Sequence, residues 1–238
     1  MPKLTQEHRR AICFQEAGRA IIHALGGARV YRVAIAPTGS SAWCYQPRKG
    51  GEVVDRLGIC EASDVPTVTM NIHWDEGARR YVGDRDGFEW YVDLTRGVAL
   101  KGQLPASPHD HQEEWHRLVR AHLCSRLAGP VAGYVYAQRA FEMDAAKADA
   151  AFEHDLAVAD GMAQLLPPGA LEHLVRVTDE TLRTPSVWAR VSALAGELER
   201  LGDMADDQLD VYLPEPLKGW PAGTAAVPED APVLGQVR

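Results

Sequence analysis

The fold of this chain is decided by residues 13–27, which read CFQEAGRAIIHALGG. They form the second half of a helix that the apolar pattern predicts over residues 5–26. Gln15 and Arg19 stand four residues apart and therefore share one helical face, with Glu16 beside them. Two side chains at this spacing can bind one metal ion. Glutamine is at best a weak ligand, however, and arginine has no lone pair to offer.

The composition is that of an ordinary globular protein. The chain has 238 residues, of which 46% are hydrophobic and 24% charged, and a net charge of −8. This charge argues against non-specific binding to nucleic acid or to anionic membranes. No stretch is long and apolar enough to cross a bilayer, and the N-terminal MPKLTQEHRR lacks the apolar core of a signal peptide. We therefore expect a cytoplasmic protein with neither nucleic acid nor a membrane as its partner.

The first half of the chain mixes a helix with strands. Residues 30–35, VYRVAI, predict a strand, and a second short strand is expected at 42–45. We interpret residues 48–105 as a β-rich insertion. Within it we predict strands and one hairpin turn from alternating apolar residues and from Gly and Asp clusters. The strands are expected at 67–72, 89–94 and 98–100, and the turn at 83–87.

The second half is helical. Apolar residues recur at helical spacing in several segments that Pro or Gly residues separate. The predicted helices are 111–140, 142–165, 168–182, 185–201 and a short one at 205–212. Residues 214–238 are rich in Pro, Ala and Gly and lack apolar periodicity, so we predict a disordered or extended tail.

The order of these motifs resembles the FtsH-type zinc peptidase domain, the protease half of the AAA-linked membrane proteases. That family has H-E-A-G-H-A on a helix, where this chain has QEAGRA at 15–20, and then a strand of the type V-x-K-V-T-I. The sequence LAGPVAG at 127–133 resembles its L-G-G-R-A-A-E motif. The sequence FEHDLAVA at 152–159 resembles A-S-N-D-L-x-x-A, whose aspartate is the third zinc ligand. The resemblance covers about residues 8–213. It implies an α+β, mostly helical, zincin-related domain over 1–213, with a small β-sheet and the insertion.

The resemblance places Gln15 and Arg19 at the two histidine positions, Glu16 at the general base and Asp155 at the third ligand. A catalytic zinc needs about three protein ligands with lone pairs, so we expect zinc to be absent and predict no cofactor. Two replacements for the metal are open. Arg19 pairs with Asp155, with Gln15 or Glu16 adding hydrogen bonds, or it pairs with Glu16 three residues away.

Two histidines offer weak alternatives for a metal site. His23 lies one turn beyond Arg19 on the same helical face, and His154 adjoins Asp155. A lone histidine on a helix that faces a core is more often packed or hydrogen-bonded than bound to metal.

The strand over residues 30–35 offers a function that needs no zinc. In the resembling family, an edge strand beside the active helix pairs with an extended peptide through main-chain hydrogen bonds. Val33, Ala34 and Ile35 are therefore candidates for peptide binding. The alternative is an internal strand whose edge is covered by the insertion. Exposed tryptophans would favour binding, and the candidates are Trp43, Trp74 and Trp90.

The sequence thus predicts a pseudo-peptidase that acts in protein or peptide binding or in regulation. The alternative is an active enzyme, which is either a metallopeptidase with atypical ligands or a metal-free catalyst that reuses the cleft around Glu16. Helices in the C-terminal half of the resembling family help to form rings. The resemblance therefore also raises the expectation of a homo-oligomer.

Overall fold

Helix α1, Gln6–Leu25, is the central element of the computed structural model. The side chain of Thr5 caps its start by accepting a hydrogen bond from the backbone N–H of His8 at 3.2 Å. Its end is at Gly26, after which Gly27 has a φ of +84° that suits glycine. From Ala11 onward almost every residue of α1 is buried, so neighbouring elements cover this helix all round.

The structure describes residues 3–40, 43, 45–47, 56–63, 65–96, 107–140 and 150–223. Several predicted segments lie partly or wholly outside these residues. They are the strand at 42–45, the strand at 98–100, parts of the insertion at 48–55 and 97–105, the start of the helix at 142–165, and the tail beyond residue 223.

Helices surround α1, and α4 and α7 make the most extensive contacts with it. The helices that follow α1 in the described residues are α2 (Pro66–Met70), α3 (Arg85–Leu94), α4 (Pro108–Ala140), α5 (Ala150–Ala163), α6 (Ala170–Arg183), α7 (Pro185–Leu201) and α8 (Asp207–Asp210). None of them, within that part of the chain, combines the length and apolarity that crossing a bilayer requires. The helical second half is thus confirmed, with boundaries close to the predicted ones.

Strand β1, Val30–Ile35, is the middle strand of a three-stranded antiparallel sheet. Strand β2, Gly58–Ala62, pairs with one of its edges, and strand β5, Asp203–Ala205, pairs with the other. A separate hairpin joins β3, Ile72–Asp75, to β4, Arg80–Gly83. The prediction of a mostly helical α+β protein with a small sheet is confirmed.

The insertion contains more helix than the sequence predicts. Residues 66–70 and 85–94 are helices, so the predicted strand at 89–94 and most of that at 67–72 are wrong. The cluster at 83–87 is a helix start rather than a hairpin turn, because the side chain of Asp84 accepts a hydrogen bond from the Gly87 N–H at 2.9 Å. The buried residues of α3, Phe88 and Val92, are four residues apart, which is helical spacing.

The first part of the tail that is predicted to be extended or disordered, residues 214–223, is bound to the helical body without forming a helix or strand. The backbone N–H of Leu217 donates to the Leu25 carbonyl at 3.0 Å. Arg117 and Arg120 on α4 donate to the carbonyls of Trp220 and Pro221, at 3.0 and 3.1 Å. These are tertiary contacts to backbone atoms, which leave no periodic pattern in the sequence of the tail itself.

Helices α1 and α4 approach each other closely at Gly18. A Cβ atom at Gly18 would lie 2.4 Å from the Cβ of Ala132 and 3.3 Å from the carbonyl oxygen of Ala128. On α4, Gly129 packs against the side chain of Arg19 and Gly133 against that of Gln15. The small residues of both helices therefore make room for the two polar side chains at the helix interface.

We expect Gly18→Ala to lower the free energy of unfolding by about 1–3 kcal/mol, because the added methyl group overpacks the contact with Ala132. Gly196→Ala is the matched control, since Gly196 is exposed in α7 and a Cβ there meets nothing within 4 Å. It should raise stability by roughly 0.5–1 kcal/mol through helix propensity. Urea unfolding measures both values, and a shift of the same sign in the two variants would contradict the close helix contact.

Candidate functional site

The guanidinium of Arg19 lies between two buried carboxylates. Its Nη1 donates to both oxygens of Glu16, at 3.0 Å each, and its Nη2 donates to the carboxylate of Asp155. The side chains of Arg19, Glu16 and Asp155 are only 7%, 2% and 1% exposed. Both pairings that the sequence left open therefore exist at once, and Arg19 joins α1 to α5.

A second arginine approaches Asp155 from α4. Nη1 of Arg126 lies 3.6 Å from Oδ1 of Asp155, and the Arg126 side chain is 30% exposed. Two carboxylates and two guanidiniums thus meet at one place, so their formal charges cancel. This balance matters because a buried charge without a partner is strongly destabilising.

Gln15 does not complete the predicted hydrogen-bond network through its amide nitrogen. The residue is buried against Gly133, and its Nε2 finds no acceptor among the described residues. Oδ1 of Asp155 likewise accepts no hydrogen bond there, and Nη1 of Arg126 lies 3.6 Å from it. Of the two side chains expected to support the Arg19–Asp155 pair, only Glu16 does so.

The residues at the three ligand positions do not fit a zinc ion. Zinc requires lone pairs from its ligands, and the Arg19 guanidinium has none to give. This guanidinium also occupies the space between the two carboxylates, so it supplies the positive charge that a metal would bring. Within the ranges that the structure describes, no group of three or more His, Cys, Asp or Glu side chains is arranged to hold a metal.

The two alternative histidines have different surroundings. His23 is buried, and its ring lies 5.9 Å from that of His122 on α4. Burial lowers the pKa of His23 well below its usual value, and His122, Arg126 and Arg19 lower it further. His154 instead packs its ring against Tyr81 of the β3–β4 hairpin, 5.7 Å away, and burial followed by Arg56 lowers its pKa.

A cavity of about 380 Å³ opens beside Arg19, which is within the range of small-ligand sites. Helices α1 and α4 and strand β2 supply its walls. The lining residues whose side chains can bind a ligand or take part in a reaction include Arg19, His23, Arg56, Cys60, His122 and Arg126. The sequence motifs point to Arg19 and His23, but Arg56, Cys60 and Arg126 lie in the insertion or on α4 at no recognisable spacing.

Cys60 is not suited to act as a nucleophile in this cavity. Burial raises the pKa of its thiol well above the ordinary value, and the Glu16 carboxylate adds to the shift. The reactive form of cysteine is the thiolate. The thiol therefore stays protonated near neutral pH.

The predicted peptide-binding strand is not available for a peptide. Val33, Ala34 and Ile35 are buried, and strand β1 is paired along both edges. Val33, for example, lies between Cys60 of β2 and Met204 of β5. The prediction of an open edge on β1 is wrong because the insertion and the C-terminal region each add a strand beside β1. Among the described residues, strand β2 is the terminal strand of this sheet, on the side of the cavity.

The predicted binding tryptophans differ in exposure. Trp74 on β3 and Trp90 on α3 are 43% and 65% exposed. Trp43 is partly buried and packs its ring 5.2 Å from that of Tyr45. Two of the three therefore meet the condition that favours binding over a role in the core.

No family model, curated protein or solved structure matches this chain. The likeness to the FtsH-type domain therefore rests on the order of the motifs alone. Asp155, which the order of the motifs places at the third ligand position, contacts Arg19.

We expect Asp155→Asn to lower the free energy of unfolding by about 3–5 kcal/mol, because it removes one partner from a buried ion pair. Asp160→Asn, on the exposed side of the same helix, is the matched control and should change stability by less than about 0.5 kcal/mol. Urea unfolding at two salt concentrations measures both. A small loss that high salt abolishes would show that the Arg19–Asp155 pair is exposed to solvent.

Proposed function

We propose that this chain is a pseudo-peptidase domain, which binds a protein or peptide segment without hydrolysing it. One observation carries the proposal: the Arg19 guanidinium lies between Glu16 and Asp155, where a peptidase of the resembling family would hold its metal. The site keeps its carboxylates and its neighbouring cavity, but the metal that would activate water has been replaced by a side chain.

The position of Glu16 argues against the alternative of a metal-free catalyst. A general base must reach the proton that it removes, either directly or through one water molecule. Both carboxylate oxygens of Glu16 accept from Arg19, and the side chain is 2% exposed. Glu16 is therefore engaged in an ion pair and is closed to a substrate.

The cavity and strand β2 support the binding half of the proposal. In the part of the chain that the structure describes, strand β2 is terminal in its sheet, and Cys60, Glu61 and Ala62 from this strand line the cavity. An extended peptide can bind to such a strand through main-chain hydrogen bonds. The binding strand is thus β2, from the insertion, in place of the predicted β1.

If the Arg19 guanidinium takes the place of the metal, zinc binding can be restored by histidines at the two ligand positions. In the variant Gln15→His/Arg19→His, two histidines four residues apart join Asp155, so we expect about one zinc per chain. The wild-type protein should hold almost none. Elemental mass spectrometry after dialysis against zinc measures both, and Gln15→His/Arg19→His/Asp155→Asn is the control that lacks the third ligand. Tightly held zinc in the wild type would overturn the proposal.

The binding half is tested with a pool of random decapeptides. Immobilised wild-type protein should retain part of the pool, and mass spectrometry should find no cleaved products after prolonged incubation. Glu16→Gln should behave as the wild type with respect to cleavage, because no hydrolysis depends on the carboxylate. Cleavage by the wild type that Glu16→Gln abolishes would instead establish the enzyme alternative.

A further inference from the structure

We propose that the cavity beside Arg19 binds a carboxylate group of its peptide ligand, either an acidic side chain or the C-terminal carboxylate. This inference rests on the proposed function and names the chemistry that the site recognises. It depends on which charges of the cavity a ligand can reach.

Three arginines line the cavity, and they come from different parts of the fold. Arg19 belongs to α1, Arg126 to α4, and Arg56 to the segment just before β2. Arginine is well suited to a carboxylate, because its planar guanidinium donates two parallel hydrogen bonds to the two oxygens. A convergence of guanidiniums in a concave site is therefore typical of anion recognition.

The carboxylates of Glu16 and Asp155, which pair with Arg19 and Arg126, are more deeply buried than the Arg126 side chain. Glu16 and Asp155 are only 2% and 1% exposed, whereas the Arg126 side chain is 30% exposed. Of these groups, the Arg126 guanidinium is therefore more accessible to a ligand than either carboxylate.

Among the described lining residues, Glu61 is the acidic one, and its carboxylate is held on the other side of the sheet. It accepts a hydrogen bond from the hydroxyl of Tyr45. Tyr45 packs with Ala34 and Ile59 on the face of the sheet that points away from α1. Side chains alternate along β2, so Cys60 points toward α1 and Glu61 points away from it, as Ile59 does. The carboxylate of Glu61 therefore does little to neutralise the arginines on the α1 side.

The remaining lining is compatible with a carboxylate. Tyr31, Ser63 and Thr69 also line the cavity, and their side chains carry hydroxyl groups. The volume of about 380 Å³ suits one or two side chains of a peptide rather than a folded partner. An acidic residue of an extended segment lying along β2 would meet these requirements.

The test uses three pools of decapeptides, whose variable positions exclude Asp and Glu, on the immobilised protein. The first pool has a fixed central Asp and an amidated C-terminus, and the second has Asn instead. The third has the central Asn and a free C-terminal carboxylate. We expect at least about tenfold stronger retention of the first or third pool than of the second, as a charge-assisted hydrogen bond would give. The pool that is preferred identifies the source of the carboxylate.

Variants locate the site. Arg56→Gln/Arg126→Gln should abolish the preference, and Arg126→Lys should keep part of it, because the charge remains while the bidentate geometry is lost. Arg96→Gln is the control, since Arg96 is 57% exposed and pairs only at the surface with Asp93. Urea unfolding verifies that each variant is folded.

The possible results test the peptide-binding function and the carboxylate site separately. Equal retention of all three pools would leave the peptide-binding function standing and overturn the carboxylate site. Retention of none would overturn both. A preference for acidic pools that survives in Arg56→Gln/Arg126→Gln would place the site elsewhere and overturn this inference alone.

Discussion

The buried contact of Arg19 with Glu16 and Asp155 is the interaction on which the rest of the site depends. It links the first helix to a helix more than one hundred residues later, and it does so with charges that are almost fully removed from water. Such an arrangement is stable only when every charge has a partner. The cation at this place is a side chain, whereas a metal site would couple folding to metal binding.

The close approach of α1 and α4 makes this interaction possible. Gly18 on α1 lies against Ala132 on α4, while Gly129 and Gly133 lie against Arg19 and Gln15. Side chains with a Cβ at these glycines would occupy the space that the guanidinium and the amide now fill. The small residues therefore set both the distance between the helices and the place of the polar groups.

The long helices and strand β1 could be predicted from the sequence because apolar periodicity extends over many residues there. Short elements of the insertion could not, since a run such as residues 67–70 fits either a strand or a helix. For the site, motif order was enough to place Asp155 beside Arg19. It could not find Arg56 or Arg126, because these reach the cavity through tertiary packing alone. It also could not show that β5 covers the second edge of β1.

The pairing of β1 with β5 has a consequence for how the chain acquires its structure. Arg32 lies opposite Ala205 in the sheet, and Arg9 donates to the backbone carbonyl of Glu199 at 2.7 Å. Contacts between segments so distant in sequence form slowly, because a long loop must close before they are made. On the ribosome, α1 and β1 emerge before residues 199–205. The sheet around β1 therefore stays incomplete until those residues have been synthesised.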